Sequence, residues 1–217
     1  MNKISENKIL KIALHYIPLE SLIKISSFGN GNINDTFLVE SKDNHKYKSF
    51  ILQRVNKDIF ISPEFVISNT AKLFDFLNRN YISNQCIYEN YNWLFPSQLK
   101  TIEFKKTCIN LDNETWRAFD YIQSTKTIDK ISNYNQSYQI GKGLGTFHFL
   151  INQFNTLELK PSVTNFHDIN FYINELKIAL KSKFNYKSNI PIDLNNNINN
   201  AIVNIFSFHE TYSKQLL

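Results

Sequence analysis

Glycine is scarce in this chain. All five glycines of its 217 residues stand in two clusters, Gly29 with Gly31, and Gly141 with Gly143 and Gly145. Glycine reaches positive φ and lets a second backbone or a ligand come close, at a conformational cost, so a chain that uses it so sparingly needs it where it stands. The two clusters compete for the place of a ligand-binding loop.

Their surroundings separate them. Residues 22–28 (LIKISSF) alternate, and residues 36–40 (TFLVE) are β-branched and aromatic, so the first cluster is the tip of a strand-turn-strand hairpin. A dinucleotide fold or a Walker loop needs strand, glycine loop, then helix, and the Walker lysine and hydroxyl are absent. The protein-kinase type of glycine loop instead covers ATP phosphates from between two strands. Gly29 and Gly31 suit that shape, with the turn-forming Asn30, Asn32, Asn34 and Asp35 around them. Taken alone, Gly-x-Gly at a hairpin tip is most often just a turn. The second cluster lies in a helical pattern, where Tyr138, Ile140, Leu144, Phe147, Leu150, Ile151 and Phe154 recur at three- and four-residue spacing. Gly141 and Gly145 then share one face, and close approach of another backbone is the expected reason for them.

Composition narrows the classes. The chain is 42% hydrophobic and 14% aromatic, with 18 Phe and 11 Tyr, which is globular and not disordered. Its length suits one large domain or two small lobes. No run is apolar for the length of a membrane span, and residues 1–20 lack the apolar core of a signal peptide. A cytoplasmic protein without a membrane partner is expected. Cys86 and Cys108 match no metal or redox spacing and read as buried reduced thiols. The net charge of +5 invites a nucleic-acid partner, but the lysines are scattered and only Lys105 and Lys106 adjoin, with no basic stripe or aromatic platform. An anionic small molecule such as a nucleotide meets the same charge.

Along the chain, a helix is expected over residues 6–15, stopping short of Pro18. A third strand follows at 49–55, reached through the polar turn 42–45. Ser62, Pro63 and Glu64 then start a helix running to about Asn78. Further strands are expected at 98–102, 106–111 and 115–122, the last two joined by Asp112 and Asn113. Residues 123–135 are polar and linker-like, and the remainder reads as helices at about 134–154, 168–184 and 194–213. The fold class is α+β, with residues 1–122 mixed and residues 123–217 helical.

Read together, FGNGNINDTF at 28–37, ILQRVN at 51–56, WRAFDYI at 116–122 and NFHD at 165–168 resemble the N-acetylhexosamine 1-kinases, of the wider aminoglycoside phosphotransferase and choline kinase family. The resemblance runs in order from about Leu22 to Ala179. It implies a protein-kinase-like small lobe over residues 1–122 and the start of a helical large lobe over 123–217, with ATP and Mg²⁺ as cofactors and a sugar as acceptor. Gly29, Asn30, Gly31, Asn32 and Asn34 match the loop over the nucleotide phosphates, where backbone N–H groups meet anionic oxygens. Arg54 is similar to the basic residue of the third strand that reaches the α- and β-phosphates, for which a guanidinium fork is well suited; the alternative reading is an exposed strand arginine paired with a surface carboxylate. Neither Glu64 nor Asp75 clearly fills the place of the orienting glutamate. Phe119, Asp120, Tyr121 and Ile122 match the hinge that holds adenine through main-chain groups.

The same resemblance places His148 near the end of a large-lobe helix, where a lone histidine on an amphipathic face reads as a hydrogen-bonded core residue. Asp168, beside His167, reads as a helix cap, and periodicity puts His209 and Glu210 on a helix. The catalytic Asp and the metal ligands of such kinases are expected beyond a segment resembling residues 212–217. On that expectation the chain carries no catalytic or metal-binding residue of its own, and a second polypeptide is a possible partner. The alternatives are a non-catalytic nucleotide-binding or interaction module, or one half of a split kinase. The helical part, lacking what such helices pack against, is expected to leave an apolar patch exposed.

Overall fold

A computed structural model of the chain describes residues 4–43, 46–83, 93–125, 127–181 and 192–212. They form an α+β protein in two compact units, Met1–Thr164 and Asn165–Leu217.

The first unit is built on five antiparallel strands. These are β1 (Leu22–Ser27), β2 (Asp35–Asp43), β3 (Lys46–Val55), β4 (Ile109–Leu111) and β5 (Glu114–Asp120), in the order β1-β2-β3-β5-β4. In β2 and β3 the pairing runs unbroken from Asp35 opposite Arg54 to Asp43 opposite Lys46. The β4–β5 turn uses Asp112 and Asn113 at φ 50° and 62°, a conformation these two residue types tolerate without glycine.

Helices cover both faces. α1 (Glu6–Ala13) starts at Ser5, whose hydroxyl accepts from the Lys8 N–H at 3.4 Å, and ends two residues short of the expected His15. It lays Ile9, Ile12 and Ala13, followed by Tyr16, on Val39, Phe50, Leu52, Ile109, Trp116 and Ala118. In β3 and β5 these are the even-numbered positions, as a two-residue side-chain period requires. Leu52 and Trp116 are fully buried, each a side chain whose burial contributes roughly 1.5–3 kcal/mol. On the other face lies α2 (Pro63–Ser83), which begins at Pro63 as expected and runs past Asn78. It buries Ile67 and Leu77 and sets Phe74 edge-on to Phe119, with centroids 6.1 Å apart.

Residues 98–102 depart from expectation. Gln98 makes a single bridge to Phe119 and the Leu99 N–H donates to the Ala118 carbonyl at 2.9 Å. The chain then leaves the sheet, because Thr101 bonds to the Lys106 carbonyl and Ile102 to the His15 carbonyl. The following strand shortens to β4 for the same reason.

α3 (Tyr134–Ile151) falls in the first unit. It is capped by Asn133, whose side chain accepts from the Gln136 N–H at 3.0 Å, and ends before the expected Phe154. Leu150 is buried, and Phe154 meets Phe76 of α2 edge-on at 5.1 Å. Beyond it, residues 155–160 run along α2: the Asn69 carboxamide donates to the Lys160 carbonyl at 2.7 Å and accepts from its N–H at 3.0 Å, and the Lys72 ammonium donates to the Glu158 carbonyl at 2.7 Å.

The second unit holds α4 (Ile169–Lys181) and α5 (Ile192–Tyr212). Asp168 caps α4 as expected, its carboxylate accepting from the Phe171 N–H at 3.0 Å. Ile173 is buried, a His209 ring nitrogen lies 2.9 Å from the Asn170 side-chain oxygen, and the Lys177 ammonium sits over the Phe206 ring. Large apolar side chains stay exposed in both units, among them Tyr134, Leu144 and Phe149 of α3 and Val203 and Phe208 of α5. Among the described residues no helix is long and apolar enough to cross a membrane.

Candidate functional site

The α2-facing side of the sheet opens, at the end of β5, into a cleft of about 410 Å³. Ile51 of β3 and Thr70 and Phe74 of α2 form its wall, and all four proposed hinge residues, Phe119, Asp120, Tyr121 and Ile122, line it. The Asp120 N–H donates to the Ser97 carbonyl at 3.0 Å and the Ile122 carbonyl accepts from the Thr125 hydroxyl at 2.9 Å, which fixes the segment's path.

The glycine loop reaches this cleft through its root. Phe28 lines the cleft and meets the Tyr121 ring edge-on at 5.7 Å. Its N–H donates to the Thr36 carbonyl and closes the hairpin. Gly29 has φ +77°, so the turn does require glycine there. Asn30, Gly31 and Asn32 are exposed beyond it and are not part of the cleft lining. Asn34 is an anchor: its side-chain oxygen accepts from the Asn56 N–H at 2.9 Å, and the Asn56 amide donates back to the Ile33 carbonyl at 3.0 Å.

Arg54 stands apart from the cleft. The period of two puts it with Phe50 and Leu52 on the α1 face, away from the cleft and from α2. There its guanidinium donates to Asp35 at 2.6 and 2.9 Å and to Glu114 at 2.6 Å, and Lys8 of α1 completes the network through Glu114 at 2.9 Å and Asp112 at 3.2 Å. Burial works against the charges at Arg54 and Glu114, but the hydrogen bonds outweigh it, raising Arg54 and lowering Glu114 relative to their ordinary pKa values. The absence of an orienting acid on α2 follows directly, since Glu64 and Asp75 belong to a helix on the opposite face.

Among the described residues, the cation that faces the cleft is Arg117 of β5, paired in register with Gln53 of β3. It is 8% exposed. Its Nε and one terminal nitrogen donate to the Gln53 side-chain oxygen at 3.1 and 2.8 Å, and the other terminal nitrogen donates to the Thr70 hydroxyl at 3.0 Å. Gln53 is held in turn by the Thr36 hydroxyl at 3.1 Å, and Thr70 donates to the Val66 carbonyl at 2.6 Å. The guanidinium lies over the Phe119 ring, 4.6 Å from its centroid. All of these partners are neutral, and burial pushes the Arg117 pKa down to about 10, so the group is still cationic at neutral pH. Gln53 and Arg117 lie inside the ILQR and WRAFDYI motifs; the signal that could have singled them out is strand alternation, which puts both opposite the apolar face carrying Leu52 and Trp116.

The other singled-out residues are placed as follows. A Cβ added at Gly141, Gly143 or Gly145 would meet nothing within 4 Å, so the expected close backbone approach does not occur among the described residues. His148 is exposed, not buried. Cys108 is a half-buried free thiol, pushed up in pKa by burial and by Glu64, while Cys86 lies outside the described residues. Among the described residues no group of three or more His, Cys, Asp or Glu could hold a metal ion, and Asp120 is the lone acid in the cleft lining; these residues do not fit a magnesium site. No family model matches the chain.

Proposed function

We propose that this chain binds ATP in the cleft between Phe28 and the segment 119–122, as the nucleotide-holding part of a phosphotransferase of the N-acetylhexosamine 1-kinase type acting on a sugar hydroxyl. The observation that carries the reading is the joining of two resembling motifs, far apart in sequence, at one cleft: the root of the glycine hairpin touches the hinge segment at 5.7 Å. The succession of three strands and then α2 supports it, as three strands followed by a helix open a kinase small lobe. Titration of the full chain with ATP and with adenosine tests it. Competitive binding of the two is expected, and absence of binding by either refutes it.

A second reading, a nucleotide-binding module without transfer activity, is favoured by the cleft lining, in which Asp120 is the one acid among the described residues. Incubation of the chain with ATP, Mg²⁺ and N-acetylglucosamine or N-acetylgalactosamine, followed by phosphorus NMR, tests this second reading. No sugar 1-phosphate is expected, and its formation would overturn the module reading. A second polypeptide supplying the metal ligands and catalytic carboxylate is part of the kinase proposal.

A further inference from the structure

We infer that Arg117 of β5, and not a basic residue of β3, supplies the positive charge that meets the polyphosphate of the bound nucleotide. The inference rests on the nucleotide reading of the cleft and adds to it the residue that recognises the anion.

Four observations carry it. Arg117 is an almost fully buried guanidinium on the wall of the cleft, and buried cations are ordinarily paired with an anion. Its protein partners are the neutral Gln53, Thr70 and the face of Phe119, and no carboxylate among the described residues pairs with it. Three of its five N–H groups are used, which leaves two for a ligand in a fixed fork. The fork is held from both sides, by Thr36 through Gln53 and by Val66 through Thr70, so little side-chain entropy remains to be lost on binding. A phosphate is the anion suited to such a fork, and adenosine, which shares the nucleoside but carries no charge, gives it nothing to hold.

The arrangement explains the glutamine on β3. Gln53 occupies the cleft-facing position of that strand, and a lysine there would have faced Arg117 across the register. With Gln53 as acceptor, the cation comes from the neighbouring strand and reaches the same space.

The test compares ATP, adenosine and inorganic tripolyphosphate on the full chain. Arg117→Met is expected to weaken ATP on the order of 10- to 100-fold, the range for charge-assisted hydrogen bonds, with adenosine affinity unchanged. Adding Gln53→Lys, which puts a cation at the cleft-facing position of β3, is expected to recover most of the loss. Unchanged ATP affinity in Arg117→Met, or equal loss for ATP and adenosine, overturns the inference. Where the variant fails to fold by circular dichroism, the wild-type chain decides, because it has three arginines, Arg54, Arg79 and Arg117. The Arg117 Nε–H resonance is expected to shift with ATP and with tripolyphosphate but not with adenosine, and an unmoved resonance overturns the role. Adenosine bound as tightly as ATP by the wild-type chain removes Arg117 while leaving the cleft reading; binding of neither removes both.

Discussion

Replacing Arg54 with methionine keeps most of the stem and removes the charge at the centre of the Asp35–Arg54–Glu114–Lys8 network. In the folded chain Arg54 is 19% exposed on its side chain, Asp35 26% and Glu114 20%. Removing one partner of a fully buried pair costs about 3–5 kcal/mol, while an exposed pair contributes about 0–1. Residues about one-fifth exposed fall between, and Glu114 keeps Lys8, so a loss of about 2–3 kcal/mol follows. For a unit of this size that corresponds to a fall of roughly 5–10 °C in Tm. Trp93 and Trp116 are the only tryptophans and both lie in the first unit, so fluorescence-detected urea and thermal unfolding report this unit directly. The pH dependence follows from Glu114, whose pKa is lowered on folding. Its contribution is full above the ordinary glutamate value of 4.5 and is lost as pH falls through the folded value. The gap between wild type and Arg54→Met is therefore widest near neutral pH and narrows on acidification below that value. A loss under about 0.5 kcal/mol, the range of ordinary surface changes, or a gap independent of pH, would refute the account of Arg54 as a structural cation.

ATP affinity of the folded Arg54→Met chain is expected to stay within about twofold of wild type, the scatter below which no charged hydrogen bond has been lost; a tenfold loss would return Arg54 to the binding site. Gly29→Ala is expected to destabilise by about 1–2 kcal/mol because of its positive φ, whereas Gly141→Ala and Gly145→Ala, in open helix positions, are expected to stabilise by about 0.5–1 kcal/mol each; a loss at either helical site in thermal melts would reveal a packing partner on that face. Leu52→Ala, at a site with no exposure, is expected to cost about 2–5 kcal/mol in urea unfolding, and a cost under 1 kcal/mol would contradict the core described between α1 and the sheet. The Cys108 thiol, raised by burial, is expected to react with iodoacetamide at neutral pH more slowly than free cysteine, and mass mapping of faster labelling at that residue would contradict its placement.

The sheet was legible where chemistry is local. Asp112 and Asn113 announced the β4–β5 turn, Ser62 and Pro63 the start of α2, and Asp168 the cap of α4. Residues 98–102 misled because their pattern permits pairing, while the bonds of Thr101 and Ile102 go to Lys106 and His15, partners that no local window contains. Arg54 and Arg117 illustrate the harder problem. Motif likeness drew attention to Arg54, yet its neighbours two and four residues earlier, Leu52 and Phe50, already set it on the apolar face. Deciding which face bears the cleft needs α2 in place against Gln53 and Arg117, and that is tertiary information. The glycines of α3 were read as contact points from their spacing alone, and spacing cannot tell a packed face from a solvated one.

β3 and β5 are covered on both sides, but by opposite kinds of surface: Leu52, Trp116 and Ala118 look toward α1, and Gln53 and Arg117 look toward α2. A slip of one residue between these strands would exchange the two sets, thrusting a guanidinium among Ile12 and Val39 while leaving Gln53's partners unmatched. Each face thus proofreads the other's alignment, so the polar wall of the cleft also guards the fidelity with which the sheet assembles.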